Sequence, residues 1–322
     1  MRASFSLLLV ACIAFLSIPS PLRADDAPAK KMVVFVAGTP SHGFAQHEHN
    51  AGSLLLARLL KEGMPNFDDR VYTNGWPKDP HAFDGADAII MYCDGGDGHI
   101  VIPHLDEIDA LTKKGVGIGC IHYAVEIPKD KGGTQFLDWI GGYFETFWSI
   151  NPVWQADFAE IPQHPVTNGV KPFANKDEFY YHMRFRPNME GVTQIIYAVP
   201  PDSTRQGKDD AHGGNPEVRS GIGKHLPETV VWVSENKATT NRGFGCTGGH
   251  YHFNWAQDDF RTCILNSIVW IAKGDVPPGG VPSKRPTVDE LLANLDKKAV
   301  PADFDKDKEA AAIEAMNAPR AK

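Results

Sequence analysis

Short apolar runs alternate with amphipathic stretches along the first half of the chain. Met32–Ala37 (MVVFVA) is continuously apolar and β-branched, the pattern of a strand covered on both faces. Ala86–Tyr92 and Gly115–Ile121 repeat it. Between the first two runs, Leu55, Leu56, Leu59 and Leu60 fall at helical spacing and predict a helix over His47–Glu62, and a second helix is predicted over Pro103–Lys114. Strand-like runs return at Thr193–Val199, Glu228–Val233 and Gly243–Thr247. The helix Asp258–Lys273, opened by acidic residues and stopped by Gly274, closes the pattern. Strands alternating with helices predict the α/β class, a mostly parallel open sheet with helices on both faces, over residues 32–273.

Two stretches break this rhythm. Residues 141–190 are aromatic and Pro-rich with few clean periods and read as an insertion or lid, and Asp202–Gly223, rich in Gly and Asp, reads as a long surface loop. Residues 274–322 read as a Pro-rich linker followed by short charged helices at Thr287–Leu295 and Lys306–Met316, a tail with few apolar anchors. At the other end, Arg2, the apolar run Phe5–Ile18 and Leu22-Arg23-Ala24 predict an export signal over residues 1–24, followed by a polar leader over 25–31. The run is shorter than the roughly 20 residues that span a bilayer. The expected location is therefore periplasmic or extracellular, with lipidation at Cys12 as the lesser alternative. No later segment is apolar enough to cross a membrane. A net charge of −8 with only short basic clusters argues against nucleic acid as a partner. Cys93, Cys120, Cys246 and Cys263 are too few for a disulfide framework and fall mostly in apolar runs, so mostly free thiols are expected.

In open parallel sheets ligands bind beyond the carboxyl ends of the strands. That edge collects His42, with His47 and His49, after the first strand; Asp94 within a glycine-rich loop after the second; His122 after the third; and His250 and His252 after the last. His122 stands at a sharp strand-to-helix turn with the small residues Cys120 and Ala124 two positions away on either side, as an exposed elbow residue requires. A hydrogen-bonded core histidine at the strand end would leave the same pattern. His250-Tyr251-His252, with His122, could hold a divalent metal such as zinc, and His42, His47 and His49 strengthen that signal, since neutral imidazole is a common ligand. His47 and His49 sit at the expected helix start, where solvated polar residues are ordinary. In the insertion, Glu178 or Asp177 could act as general base and Tyr180 or His182 as a hydrogen-bonding partner. Trp148, Trp154 and Tyr143 could stack on sugar faces or form the insertion's own core.

Taken in order, Ser41-His42-Gly43 with His47-Glu48, the Gly119–Ala124 elbow, His164-Pro165-Val166-Thr167 with Gly169, Asp177-Glu178 with Tyr180, and Gly243–His250 before the Trp270 helix resemble the ThuA-like (trehalose utilisation) family. The resemblance covers about 32–273. It implies a flavodoxin-like sheet, similar to the class I glutamine amidotransferases, and a role in carbohydrate metabolism on a small sugar or keto-sugar ligand. The amidotransferases carry cysteine at the elbow and a glutamate beyond the last histidine. Here His122 holds the elbow and no glutamate follows His250 or His252, so Cys-dependent glutamine hydrolysis is not expected. The resulting expectation is an exported sugar-active enzyme with His122, His250 and Glu178 catalytic and His42, Asp94, Tyr180, His182 and Trp148 around the substrate. A divalent metal could sit on His122, His250 and His252. The alternative is a non-catalytic carbohydrate-binding or scaffold module.

Overall fold

The computed structural model describes residues 30–319; the expected export signal and Cys12 lie outside them. The strands are β1 (Lys31–Ala37), β2 (Phe67–Tyr72), β3 (Ala88–Tyr92), β4 (Gly117–Ile121), β5 (Gly142–Tyr143), β6 (Trp154–Phe158), β7 (Phe173–Asp177), β8 (Arg184–Phe185), β9 (Val192–Ala198), β10 (Glu228–Glu235) and β11 (Arg242–Cys246). The helices are α1 (His49–Gly63), α2 (Leu105–Thr112), α3 (Thr134–Ile140), α4 (Pro216–Ser220), α5 (Asp258–Ile271), α6 (Val288–Leu292) and α7 (Lys306–Met316). Seven strands form one sheet in the order β2-β1-β3-β4-β11-β10-β9. The first five are parallel, and β10 and β9 extend the sheet antiparallel. The parallel part has the flavodoxin-like order, so its switch point lies between β1 and β3.

The continuous apolar runs are explained by this placement. Val33 and Phe35 pack with α1 and α5 on one face, whereas Val34 and Val36 pack with α2 and α3 on the other, and all four are fully buried. β2 escapes the sequence pattern because it is an edge strand: Asp68, Asp69 and Arg70 are half-buried in a segment whose only sheet partner is β1. The insertion holds two small antiparallel pairs, β5 with β8 and β6 with β7. Trp154, Ala156 and Phe158 alternate inward along β6, which anchors β7 and so fixes Asp177 at its end.

Residues 274–319 lie against the sheet domain, with Val281, Val288, Leu291 and Ile313 buried. Arg285 ties the segment to Asp258 of α5 (2.6 Å) and to Glu314 of α7 (3.0 Å). The four cysteines among the described residues are free and buried. No described helix is long and apolar enough to cross a membrane.

Candidate metal and active site

Four elements end at one place above the switch point. The loop after β1 carries His42 and His47, the loop after β3 carries Asp94, the turn after β4 carries His122, and the loop after β11 carries His250. Glu178 arrives from the opposite side at the end of β7. One ligand atom from each of His47, His122, His250 and Glu178 lies within 4.8 Å of the other three. His122 and His47 are the buried floor; Glu178, Asp94 and His42 form the more open side.

The backbone is strained where it presents these rings. His42, His47 and His122 have φ of 59°, 46° and 56°, left-handed values that cost a non-glycine residue about 1–3 kcal/mol. The elbow therefore carries His122, while Cys120, two residues earlier, is fully buried inside β4 with its thiol pushed far up by burial. It cannot serve as a nucleophile there. Gly95 permits the Asp94 loop to approach: a Cβ at that position would lie 2.2 Å from the Tyr123 carbonyl oxygen. Gly95 thus serves a close contact within the protein, whereas a Cβ at Gly98 would meet nothing within 4 Å.

Hydrogen bonds behind the rings fix which nitrogen faces inward. His122 Nδ1 donates to the Thr247 carbonyl at 2.8 Å, and His47 Nδ1 donates to Asp94 Oδ1 at 2.8 Å. Each ring therefore presents a bare Nε2, and these two atoms are 3.0 Å apart. His250 Nδ1 lies 3.0 Å from His47 Nε2 and 3.1 Å from Glu178 Oε2, and Glu178 Oε2 lies 3.5 Å from His122 Nε2. Two facing lone pairs at such a distance repel, and a positive charge between them relieves the repulsion. Burial and the neighbouring imidazoles oppose a proton in that role, holding His122 far below the usual imidazole range. Burial likewise brings His47 down to about 3 despite its bond to Asp94. A divalent cation suits that role. Ligand atoms about 2.0–2.1 Å from a tetrahedral zinc lie about 3.3 Å from one another, close to the spacing found here.

The surrounding groups complete the electrostatics. Burial works against ionisation of Asp94, but hydrogen bonds from His47 and Ser41 and the nearby imidazoles outweigh it and hold the carboxyl at about 2. His42 stacks on His47 at 3.5 Å between ring centroids, with its Nδ1 4.0 Å from Asp94 Oδ1. The Tyr180 hydroxyl oxygen lies 3.2 Å from His122 Nε2. Asn151 donates to the other Glu178 oxygen at 3.4 Å. Asp177, fully buried, accepts backbone N–H groups of Gly249 and Tyr251 and so sets the loop that presents His250.

The structure thus brings His122, His250, Glu178, His42, Asp94 and Tyr180 together. His252 stands apart: the chain turns at this residue into a 3₁₀ helix, its N–H bonds the Ala45 carbonyl, and its ring is buried toward Leu291. The expected His250/His252 pairing on one metal is corrected accordingly, with His47 in place of His252. His182 and Trp148 pack on each other at 4.5 Å, and Arg184 covers the Trp148 ring at 3.8 Å, leaving this indole little face for a sugar. Trp154 and Tyr143 are buried core residues. His47 was discounted in the sequence because helix α1 was expected to begin there; it lies two residues before the helix, in the strained loop. The signal available was the run His42-x₄-His47-x-His49 directly after a buried strand. Tyr123, half-buried beside Asp94, Glu126 and Glu178, also goes unmarked in the sequence; burial, then those carboxylates, raise its hydroxyl to about 12.

Comparison with known proteins agrees with this fold. A ThuA-like protein from Bacteroides uniformis superposes with a TM-score of 0.51 at 16% identity, covering 80% of this chain and 98% of that one. One from Parabacteroides merdae gives 0.48 at 15% identity, covering 80% and 93%. No curated protein matches the sequence. The model of the ThuA family, described as trehalose utilisation, matches residues 33–271, well over half of the sequence, and the chain belongs to that family.

Proposed function

We propose that this protein is an exported enzyme of carbohydrate metabolism that acts on a sugar or keto-sugar at a divalent-metal centre held by His47, His122, His250 and Glu178. The observation that carries the reading is the pair of bare Nε2 atoms of His47 and His122, 3.0 Å apart and buried, with Glu178 and His250 closing the set. When bound, a divalent ion supplies Lewis acidity that polarises a carbonyl or hydroxyl oxygen of the substrate. The family's link to trehalose supports a sugar as the ligand.

The chain's own residues supply the rest. Asp94 and the Thr247 carbonyl hold the two imidazoles in the tautomer that faces the centre. His42, half-exposed on the open side, has its pKa lowered by burial against the pull of Asp94. It is therefore neutral at pH 7 and able to accept a substrate proton, with Asp94 beside it to stabilise the imidazolium formed. Tyr123 is placed to donate a hydrogen bond from its hydroxyl. The burial of Trp154 and Tyr143 and the covered ring of Trp148 weaken the binding-module alternative, which relied on those aromatics.

The test is metal content by elemental analysis of the purified protein, beside turnover of a panel of keto-glycosides and disaccharides. Near-stoichiometric metal is expected, lost in a His47→Ala/His122→Ala variant that still folds, together with turnover of at least one substrate that the same variant abolishes. A parent protein that takes up no divalent ion after reconstitution sinks the metal reading. Sugar binding by titration without turnover would favour the binding module.

A further inference from the structure

Behind His47 lies a buried charged cluster that the mechanism above does not use, and half of it comes from residues 274–319, beyond the segment matched by the family. Glu48 is fully buried; Lys298 and Asp296 keep only 10% and 5% of their side-chain surface. Glu48 Oε1 accepts the Ala45 N–H at 3.0 Å and faces Lys298 Nζ at 3.2 Å, while Oε2 accepts the Asp296 N–H at 2.9 Å. Lys298 Nζ also donates to the Gln46 carbonyl at 2.5 Å and lies 3.7 Å from Asp296 Oδ2. Two acceptors, the Gln46 carbonyl and Glu48 Oε1, thus lie within hydrogen-bond distance of the buried ammonium, and Asp296 Oδ2, which has no hydrogen-bond partner, adds its charge from just beyond it. Asp296 Oδ1 accepts Asn50 Nδ2 at 2.9 Å, at the start of α1.

The tethered positions 45, 46, 48 and 50 bracket His47. Both Ala45 and His47 hold left-handed backbone, a conformation that persists in a non-glycine residue only where the surroundings over-determine it. On the site side His47 is fixed by its N–H to the His250 carbonyl at 3.0 Å and by Asp94. The Ala45 carbonyl accepts the His252 N–H and Gln46 bridges to Tyr251, and on the far side the cluster adds its restraint.

We propose that Lys298, with Asp296 and Glu48, acts as a set of positioning residues, through which the segment beyond the family-matched domain clamps the strained loop that presents His47 to the metal centre. The proposal rests on the metal reading for its functional meaning. Without the clamp the loop relaxes, the His47 ring leaves its place opposite His122, and the ion loses a preset ligand. Removing the lysine alone strands two buried carboxylates and endangers folding. The charge-balanced Glu48→Gln/Lys298→Met variant of the full chain lessens this: glutamine still accepts from Ala45, and Asp296, the one carboxylate left, keeps its bond from Asn50.

Two measurements decide it. In metal-free protein, hydrogen exchange of peptides covering 41–50 should quicken at least tenfold in the double variant, while peptides from β1 and β4 keep the parent's protection. Zinc affinity, by competition with a chromophoric chelator, should fall about 10- to 100-fold, the usual effect of removing an outer-shell partner. Lys298→Arg, which retains the charge and the donors, should restore most of both. Parent-like exchange and parent-like zinc affinity in the double variant would overturn the clamp, as would faster exchange spread equally through the sheet, the mark of a purely structural role. Failure of the parent itself to bind zinc would overturn the metal reading instead, and the exchange of the 41–50 loop would still decide whether the clamp exists.

Discussion

His122 combines three properties rarely found in one histidine: complete burial, left-handed backbone and a lone pair aimed at another imidazole's lone pair. Each is unfavourable alone, and the proposed cation between the rings accounts for all three together. The groups that orient the rings should therefore control metal affinity without touching the ion. Asp94→Asn removes the charge that polarises His47 while keeping a hydrogen-bond acceptor, and zinc affinity should fall about 10- to 100-fold with folding intact. An unchanged dissociation constant in the chelator competition would show that Asp94 does not tune His47. At this scale the sequence shows His122, because its elbow needs small neighbours and has them. It cannot show the Thr247 carbonyl, which any residue would provide, and it misleads at His47, where the leucine period of α1 extends the expected helix over the ligand. Lys298 is equally hidden, since a lysine in a polar stretch reads as solvated until its carboxylate partners from residues 48 and 296 are seen.

Among the elements, those buried on both faces are legible, and of the two edge strands β9 is legible as well while β2 is not. β1, β3 and β4 announce themselves by unbroken apolar runs, whereas β2 carries charges because its side chains are only partly covered. The long Asp202–Gly223 loop is joined to the insertion by bonds such as Phe147 N–H to the Ala211 carbonyl and Asn151 N–H to the His212 carbonyl, and it carries one titratable pair: His212 Nε2 lies 2.9 and 3.1 Å from the two oxygens of buried Glu126, and the His212 ring stacks on Phe144. The hydrogen bond to Glu126 raises the His212 pKa above its ordinary value despite burial, with Asp210 and Glu178 adding to the effect. A raised histidine contributes its pairing in full below the unfolded value of about 6.5, and loses it as pH rises through the folded value. Exchange of loop amides around His212, corrected for the intrinsic rate, should stay flat up to about pH 6.5 and quicken above it. Its NMR titration midpoint should lie above 6.5 and drop in Glu126→Gln. A midpoint unmoved by that substitution would remove Glu126 as the cause.

At the scale of the whole molecule, the buried histidines make the fold acid-sensitive. Burial lowers His99, His49 and His252 to about 4 and His47 to about 3. The unfolded chain takes up these protons near pH 6.5 and the folded chain does not, so stability falls as pH drops below about 6.5 and continues to fall until pH approaches 4. Each such histidine contributes up to about 1.4 kcal/mol per pH unit across that window. The urea midpoint of metal-free protein should therefore move down steadily from pH 7 to pH 5 at nearly constant m. A midpoint that holds steady over this interval would mean that these rings gain protons in the folded state.

The clamp behind His47 also dictates an order of manufacture. His47 is made 203 residues before His250, and Gln46 is made 252 residues before Lys298. A chain growing on the ribosome displays its first imidazoles long before the residues that can shape them into a site, and domains fold only once their parts have emerged. On the proposed reading, the metal ligands are all held in place only once synthesis has passed Lys298. A chain that stops at the family boundary would carry every ligand and still lack the means to hold them ready.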